Sequence, residues 1–198
     1  MTSPHLIVLA GPNGSGKTTY ARNNLQSFIE GNVFLNADEI AREDNPADVE
    51  AVAIEAGRKA LERRRALLES GTSLCVETTL AGNSIQRLMQ QAKDTRYVVR
   101  LIFLFTPSPE LNEMRVMQRV MEGGHNIPVD VIRRRHTRGL ERLADCWALC
   151  DEGLVLDART PDPLSILIKK DGKTTIVSQD SFAHLRRVLQ AAGHRIPA

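Results

Sequence analysis

Leu6-Ile-Val-Leu-Ala-Gly-Pro-Asn-Gly-Ser-Gly-Lys-Thr18 decides the reading of this chain. Its second part fits G-x-x-x-x-G-K-[ST], the phosphate-binding P-loop. The context agrees: five apolar residues before it predict a short buried strand. Thr18 to Ile29 after it predicts a helix, with Tyr20, Leu25, Phe28 and Ile29 as apolar positions. The glycines let successive N–H groups turn inward as an anion nest, and the helix N-terminus adds the positive end of its dipole. Gly11, Pro12, Asn13, Gly14, Ser15, Gly16, Lys17, Thr18 and Thr19 are therefore the expected nucleotide-binding residues. Lys17 should reach the β- and γ-phosphates, and the Thr18 hydroxyl should ligate Mg²⁺.

The rest of the chain supplies one domain around that loop. At 198 residues, with 42% hydrophobic and 25% charged residues, it can bury a full α/β core. A net charge of +2 does not by itself argue for nucleic acid or a membrane. Cys75, Cys146 and Cys150 are too few and wrongly spaced for a zinc site, so reduced core thiols in a cytoplasmic protein are expected. No apolar run reaches membrane length, and the first one is a strand rather than a leader.

Further strands are predicted at Val33–Leu35, Leu74–Val76, Tyr97–Phe105 and Gly153–Asp157, with helices between them. One of these helices is read from Asn45 as N-cap and Pro46 in its first turn to about Glu69. Its stripe is Val49, Val52, Ala53, Ala56, Ala60 and Leu67. The basic run Arg63–Arg65 is read as its solvated end. Asp171-Gly172 predicts a hairpin between Leu164–Ile168 and Thr174–Val177, before a last helix from Ser181 to Ala191. The expected fold is therefore α/β, a P-loop kinase fold. It has a mostly parallel five-stranded sheet with helices on both faces, a helical lid at about 110–140, and a C-terminal hairpin plus helix at about 163–192.

In such a sheet ligands bind at the carboxyl ends of the strands. The second strand delivers Asp38 there, and the third delivers Glu77, Thr78 and Thr79. An acid beside a γ-phosphate can hold Mg²⁺ or accept the proton of an attacking hydroxyl. Asp38 is the candidate for both; its bland alternative is an N-cap for the turn at Glu39-Ile40. For Glu77 the alternative is an ion pair with an arginine. Glu77-Thr-Thr79 also fits the polar wall of a pocket for a hydroxyl-rich substrate. Arg119 and Arg135 are the first candidates to meet the charge of the transferring phosphoryl group, and Arg138 is a further phosphate or substrate contact. Gly123-Gly124 reads as the hinge of a lid between two arginine-bearing helices. The bland alternative is a solvated basic face paired with Glu110, Glu113, Glu141 and Asp145. No acid follows the long strand ending at Phe105, which speaks against ATPase motors and GTPases.

Four motifs in order resemble the zeta-toxin-like P-loop kinases, closest to their short single-domain bacterial branch. They are Gly11–Thr19, Asn36-Ala-Asp-Glu-Ile-Ala41, Glu77-Thr-Thr-Leu-Ala-Gly82, and Arg119-Val-x-x-Gly-Gly-His-x-Ile-Pro128 with Ile132-Arg-Arg-Arg135. The resemblance implies an ATP- and Mg²⁺-dependent kinase that phosphorylates UDP-N-acetylglucosamine or a related sugar nucleotide and is neutralised by a small antitoxin. It places Asp38 as general base, Glu77 as the substrate-binding acid and Arg119 as one of two phosphate-contacting arginines. Where the second arginine is expected, this chain has Gly123-Gly-His125, so His125 or Arg135 is the candidate substitute. Two other readings remain open: a kinase of nucleosides or nucleic-acid ends, and a non-catalytic nucleotide-gated module. Aromatic residues at only 4% leave few platforms for stacking bases, against the nucleic-acid reading.

Overall fold

A computed structural model describes residues 3–45 and 51–197, without the side chains of Asp38, Arg42, Ala53 and Ile54. Strand β1 (His5–Ala10) runs into the P-loop, and α1 (Lys17–Asn24) and α2 (Gln26–Ile29) follow it. Next come β2 (Val33–Asn36), α3 (Ala37–Asp44), α4 (Ala53–Glu69), β3 (Leu74–Thr78), α5 (Asn83–Asp94) and β4 (Val98–Phe105). The chain continues through α6 (Pro109–Met121), α7 (Val129–Leu149), β5 (Glu152–Asp157), β6 (Leu164–Lys170), β7 (Lys173–Ile176) and α8 (Gln179–Ala191).

The described strands form one sheet in the order β2-β3-β1-β4-β5-β6-β7. The first five in that order are parallel, as expected; β6 and β7 add to the same sheet antiparallel. Central strands covered on both faces need apolar residues at every position, not every second one. β1 shows why: Leu6, Val8 and Ala10 enter one buried cluster, while Ile7 and Leu9 enter the cluster on the opposite face, with Ala21 of α1. β4 divides the same way, Leu101, Phe103 and Phe105 against Ile102 and Leu104. Asp171 and Gly172 both take positive φ, 51° and 72°, which is what the tight hairpin between β6 and β7 demands. The three cysteines are free and buried; burial pushes Cys75 and Cys146 up to about 12 and Cys150 to about 11, so none is a thiolate at neutral pH. No helix among the described residues is long and apolar enough to cross a membrane.

Two elements differ from the sequence reading. The helix expected over 18–29 breaks at Leu25, which caps α1 and leads into α2. An additional helix precedes the one expected from Asn45 onward. Ala37–Asp44, rich in good helix formers, makes α3, and the Asn45 N–H donates to Ala41 O, so Asn45 ends that helix rather than capping the next. Pro46 and Val49 lie outside the described residues, and α4 is seen from Ala53.

Candidate functional site

The parallel registers bring three strand ends level. Ala10 of β1 pairs with Thr78 of β3, and Asn36 of β2 pairs with Glu77. The Gly11 N–H donates to Thr78 O at 3.2 Å, fixing the loop to that end. Gly14 stands at φ 72°, and a Cβ there would lie 2.9 Å from Asn112 O, so the loop closes on α6 only as glycine. Lys17 is 7% exposed and its Nζ donates to Pro12 O at 2.8 Å. Ser15 Oγ is buried in the same loop with no hydrogen-bond partner. A phosphate oxygen would satisfy it, so the loop fits the anion that its motif implies.

The Thr18 hydroxyl donates to Glu77, 3.1 Å from Oε2. The acid beside the P-loop hydroxyl therefore comes from β3, the neighbour of β1 on one side, while β4 on the other side offers Thr106. With no acid after Phe105, an acid from another strand, Glu77, stands beside the P-loop hydroxyl. Thr18 and Glu77 supply the hard oxygen ligands that Mg²⁺ prefers. Among the described residues no three His, Cys, Asp or Glu converge as a metal cage. A site of that kind fits Mg²⁺ held by few protein oxygens and by the phosphates themselves.

Two cavities flank the loop. The larger, about 610 Å³, has Gly14, Gly16, Thr19 and Tyr20 on one wall and Ala158, Thr160, Pro161, Asp162 and Pro163, after β5, on the other. Arg115 bridges them. Its guanidinium donates to Ala158 O at 2.8 Å, to Arg159 O at 2.9 Å and to Gly14 O at 3.4 Å. The smaller, about 140 Å³, lies on the other side of the loop, lined by Asn13, Lys17, Asn36, Arg64, Glu77 and Arg135 together with Ala37, Thr78 and Thr79.

Of the expected residues, Asn13, Lys17, Glu77, Thr78, Thr79 and Arg135 meet in the second cavity. Arg135 Nη1 lies 3.4 Å from Asn13 Oδ1, which puts this arginine of α7 at the P-loop. Asp38 falls in the first turn of α3, next to Ala37 of the cavity wall; its side chain lies outside the described residues. The position is inside a helical turn, not an N-cap. Arg119 lies elsewhere: its Nη2 donates to His125 O, and its stem packs where a Cβ on Gly124 would sit, 2.7 Å away. Gly123 N–H donates to Val120 O and Gly124 N–H to Arg119 O, so the expected hinge is a hydrogen-bonded Schellman cap on α6. His125 and Arg138 line neither cavity, and Arg138 is exposed. Arg133 takes the bland role, bonded to Glu113 across α6 and α7. Thr78 lines the cavity and also accepts the Leu80 N–H, shaping the turn after β3.

The sequence reading takes Arg64 for part of a solvated helix end and places Arg115 only among the arginines of the expected lid. Arg64 had a visible signal: it stands four residues after Ala60 and four before Leu68, in step with the buried stripe of α4. Arg115 had none, because its partners are backbone carbonyls more than forty residues away in either direction.

Residues 1–151 match the family model described as Zeta toxin. An uncharacterized protein of Haemophilus influenzae is 34% identical over 130 residues, 66% of this chain and 91% of that protein. Among solved structures, the AvrRxo1-ORF1:-ORF2 complex with ATP superposes with a TM-score of 0.73 at 19% identity, over 92% of this chain and 63% of the matched chain. A structure of the PezAT chromosomal toxin-antitoxin system of Streptococcus pneumoniae superposes at 0.65 and 20% identity, over 98% and 89%. At these identities the structural likeness is one of fold.

Proposed function

The chain belongs to the zeta toxin family of P-loop kinases, and from that premise we propose that it transfers the γ-phosphate of ATP to a hydroxyl of a small acceptor, a sugar nucleotide such as UDP-N-acetylglucosamine. The observation that carries this reading is the shared cavity. Lys17 from the P-loop, Glu77 from β3 and Arg135 from α7 wall one small space beside the loop, so donor phosphate and acceptor hydroxyl would meet there. The larger cavity, on the far side of the loop, is where the nucleoside of ATP would lie.

The roles follow from the groups. Lys17 and Arg135 stabilise the negative charge that spreads over the γ-oxygens. Thr18 and Glu77 would hold Mg²⁺, which supplies charge neutralisation on the phosphates when bound. Asp38 accepts the proton of the acceptor hydroxyl. By likeness to its family, the protein would be held in check by a small antitoxin protein.

The test is transfer of label from γ-labelled ATP with Mg²⁺ to a panel of UDP-sugars, free sugars, nucleosides and oligonucleotides. Label should move to one acceptor class, with ADP release that depends on it. Label recovered only as inorganic phosphate, at a rate no acceptor changes, would sink the reading.

Packing around Arg135 gives a second check. Gly139 lies one helical turn beyond it, and a Cβ there would sit 2.7 Å from Thr79 O. Gly139→Val must push α7 off the end of β3. Overpacking of this kind costs about 1–3 kcal/mol, and a shift of about 1 Å at Arg135 can cost roughly 10²-fold in turnover. Thermal unfolding and steady-state turnover should both fall; a stable, fully active Gly139→Val protein would show that this contact does not set the site.

A further inference from the structure

Arginine is almost never fully buried unless paired, because removing its charge from water is costly. Arg64 breaks that rule. It is 7% exposed, on the stripe of α4 otherwise made of Ala56, Ala60 and Leu68. Its sequence neighbours behave as surface residues: Arg63 is exposed, and Arg65 is exposed and pairs with Glu69. Among the described residues no carboxylate and no carbonyl meets Arg64, and its buried Nε has no hydrogen-bond partner. Burial pulls the guanidinium down to about 10, uncompensated by any neighbouring acid.

The side chain is not lost in apolar packing. It lines the 140 Å³ cavity, entering from α4 while Arg135 enters from α7. Among the described lining residues Lys17, Arg64 and Arg135 face a single acid, Glu77, which the Thr18 hydroxyl already bonds. Lys17 and Arg135 lie at the P-loop, where the donor's phosphates go. Arg64 makes no hydrogen bond to the loop and has five donors in a planar fork, the shape that matches a phosphate.

We propose that Arg64 is a specificity-determining residue of the acceptor half: its guanidinium receives a phosphate group of the acceptor, separate from the hydroxyl that reacts. This rests on the phosphotransfer reading and narrows it, since a neutral sugar or a nucleoside would leave Arg64 buried and unpaired. Desolvation of Arg64 is then the standing cost of selectivity, and it is relieved only when an anionic acceptor enters.

The experiment uses the full chain saturated with Mg²⁺ and a non-hydrolysable ATP analogue, titrated with inorganic phosphate by calorimetry. Wild type should bind one further phosphate. Arg64→Met should weaken that binding at least tenfold and leave analogue affinity within about twofold; Arg64→Lys, with charge but no fork, should fall between. Without ligand, Arg64→Met should melt at the wild-type temperature or about 2–4 °C above it, because an apolar side chain replaces an unpaired buried charge. Unchanged phosphate affinity in Arg64→Met overturns the proposal, as does an equal loss of analogue affinity, which would place Arg64 on the donor. A melting temperature lowered by more than about 4 °C would make Arg64 a structural support and also overturn it. Wild type that binds analogue but no phosphate refutes Arg64 alone. Phosphate bound through Arg64 without analogue binding supports the anion site and refutes the phosphotransfer reading; binding of neither refutes both.

Discussion

Asp38→Asn should slow phosphotransfer by about 10²–10⁴, the range for loss of a general base, and leave ATP-analogue binding unchanged. Backbone position carries the argument. Asn36 closes β2 beside Glu77, Ala37 lines the cavity, and position 38 follows in the first turn of α3. Asn keeps the shape of Asp and cannot accept a proton. It also keeps the local fold: an acid in a first turn gains about 0.3–1 kcal/mol from the helix dipole at most, so the variant should stay folded. Single-turnover transfer of label to the accepted acceptor measures the chemical step directly. A rate equal to wild type would mean that the hydroxyl loses its proton to water, and Asp38 would have no part in the step.

Lys17→Met should lower turnover by roughly 10²–10³, the scale for removing one preorganised donor from developing charge, and weaken nucleotide binding as well. Before nucleotide binds, Lys17 is 7% exposed with its Nζ on Pro12 O. Met fills the same length of channel without a charge to desolvate. Its cost is the partner lost by that carbonyl, about 1–3 kcal/mol if the group stays buried. Analogue titration and thermal unfolding separate the two effects. A Lys17→Met protein with wild-type turnover would mean that the loop is not the donor site.

The features legible in the amino-acid sequence are local ones. The strand, loop and helix around Gly11–Thr18 carry their own geometry, and Asp171-Gly172 carries its own turn. Glu77 is legible because a strand end fixes where its residues go, and β3 lies beside β1. Arg135 and Arg119 are equal candidates in sequence; only the packing of α6 and α7 separates them, one against Asn13 and the other against Gly124. Helix α3 is missed because Ala37–Asp44 directly follows a strand end and is weighed for its acids, although it consists largely of good helix formers. Arg64 carries one faint signal. Three arginines in a row look solvated, and only the four-residue step from Ala60 shows that the middle one turns inward.

The Arg115 bridge has a kinetic consequence. One guanidinium joins the carbonyl of Gly14 to those of Ala158 and Arg159, so both walls of the larger cavity are held in place before any nucleotide arrives. A base entering there has no wall to recruit and little chain to order. Its capture is then a one-step encounter, with an observed rate that rises linearly with nucleotide concentration and shows no plateau from a slow rearrangement. How long the nucleotide stays is left to the phosphate end, where Lys17 and Ser15 wait.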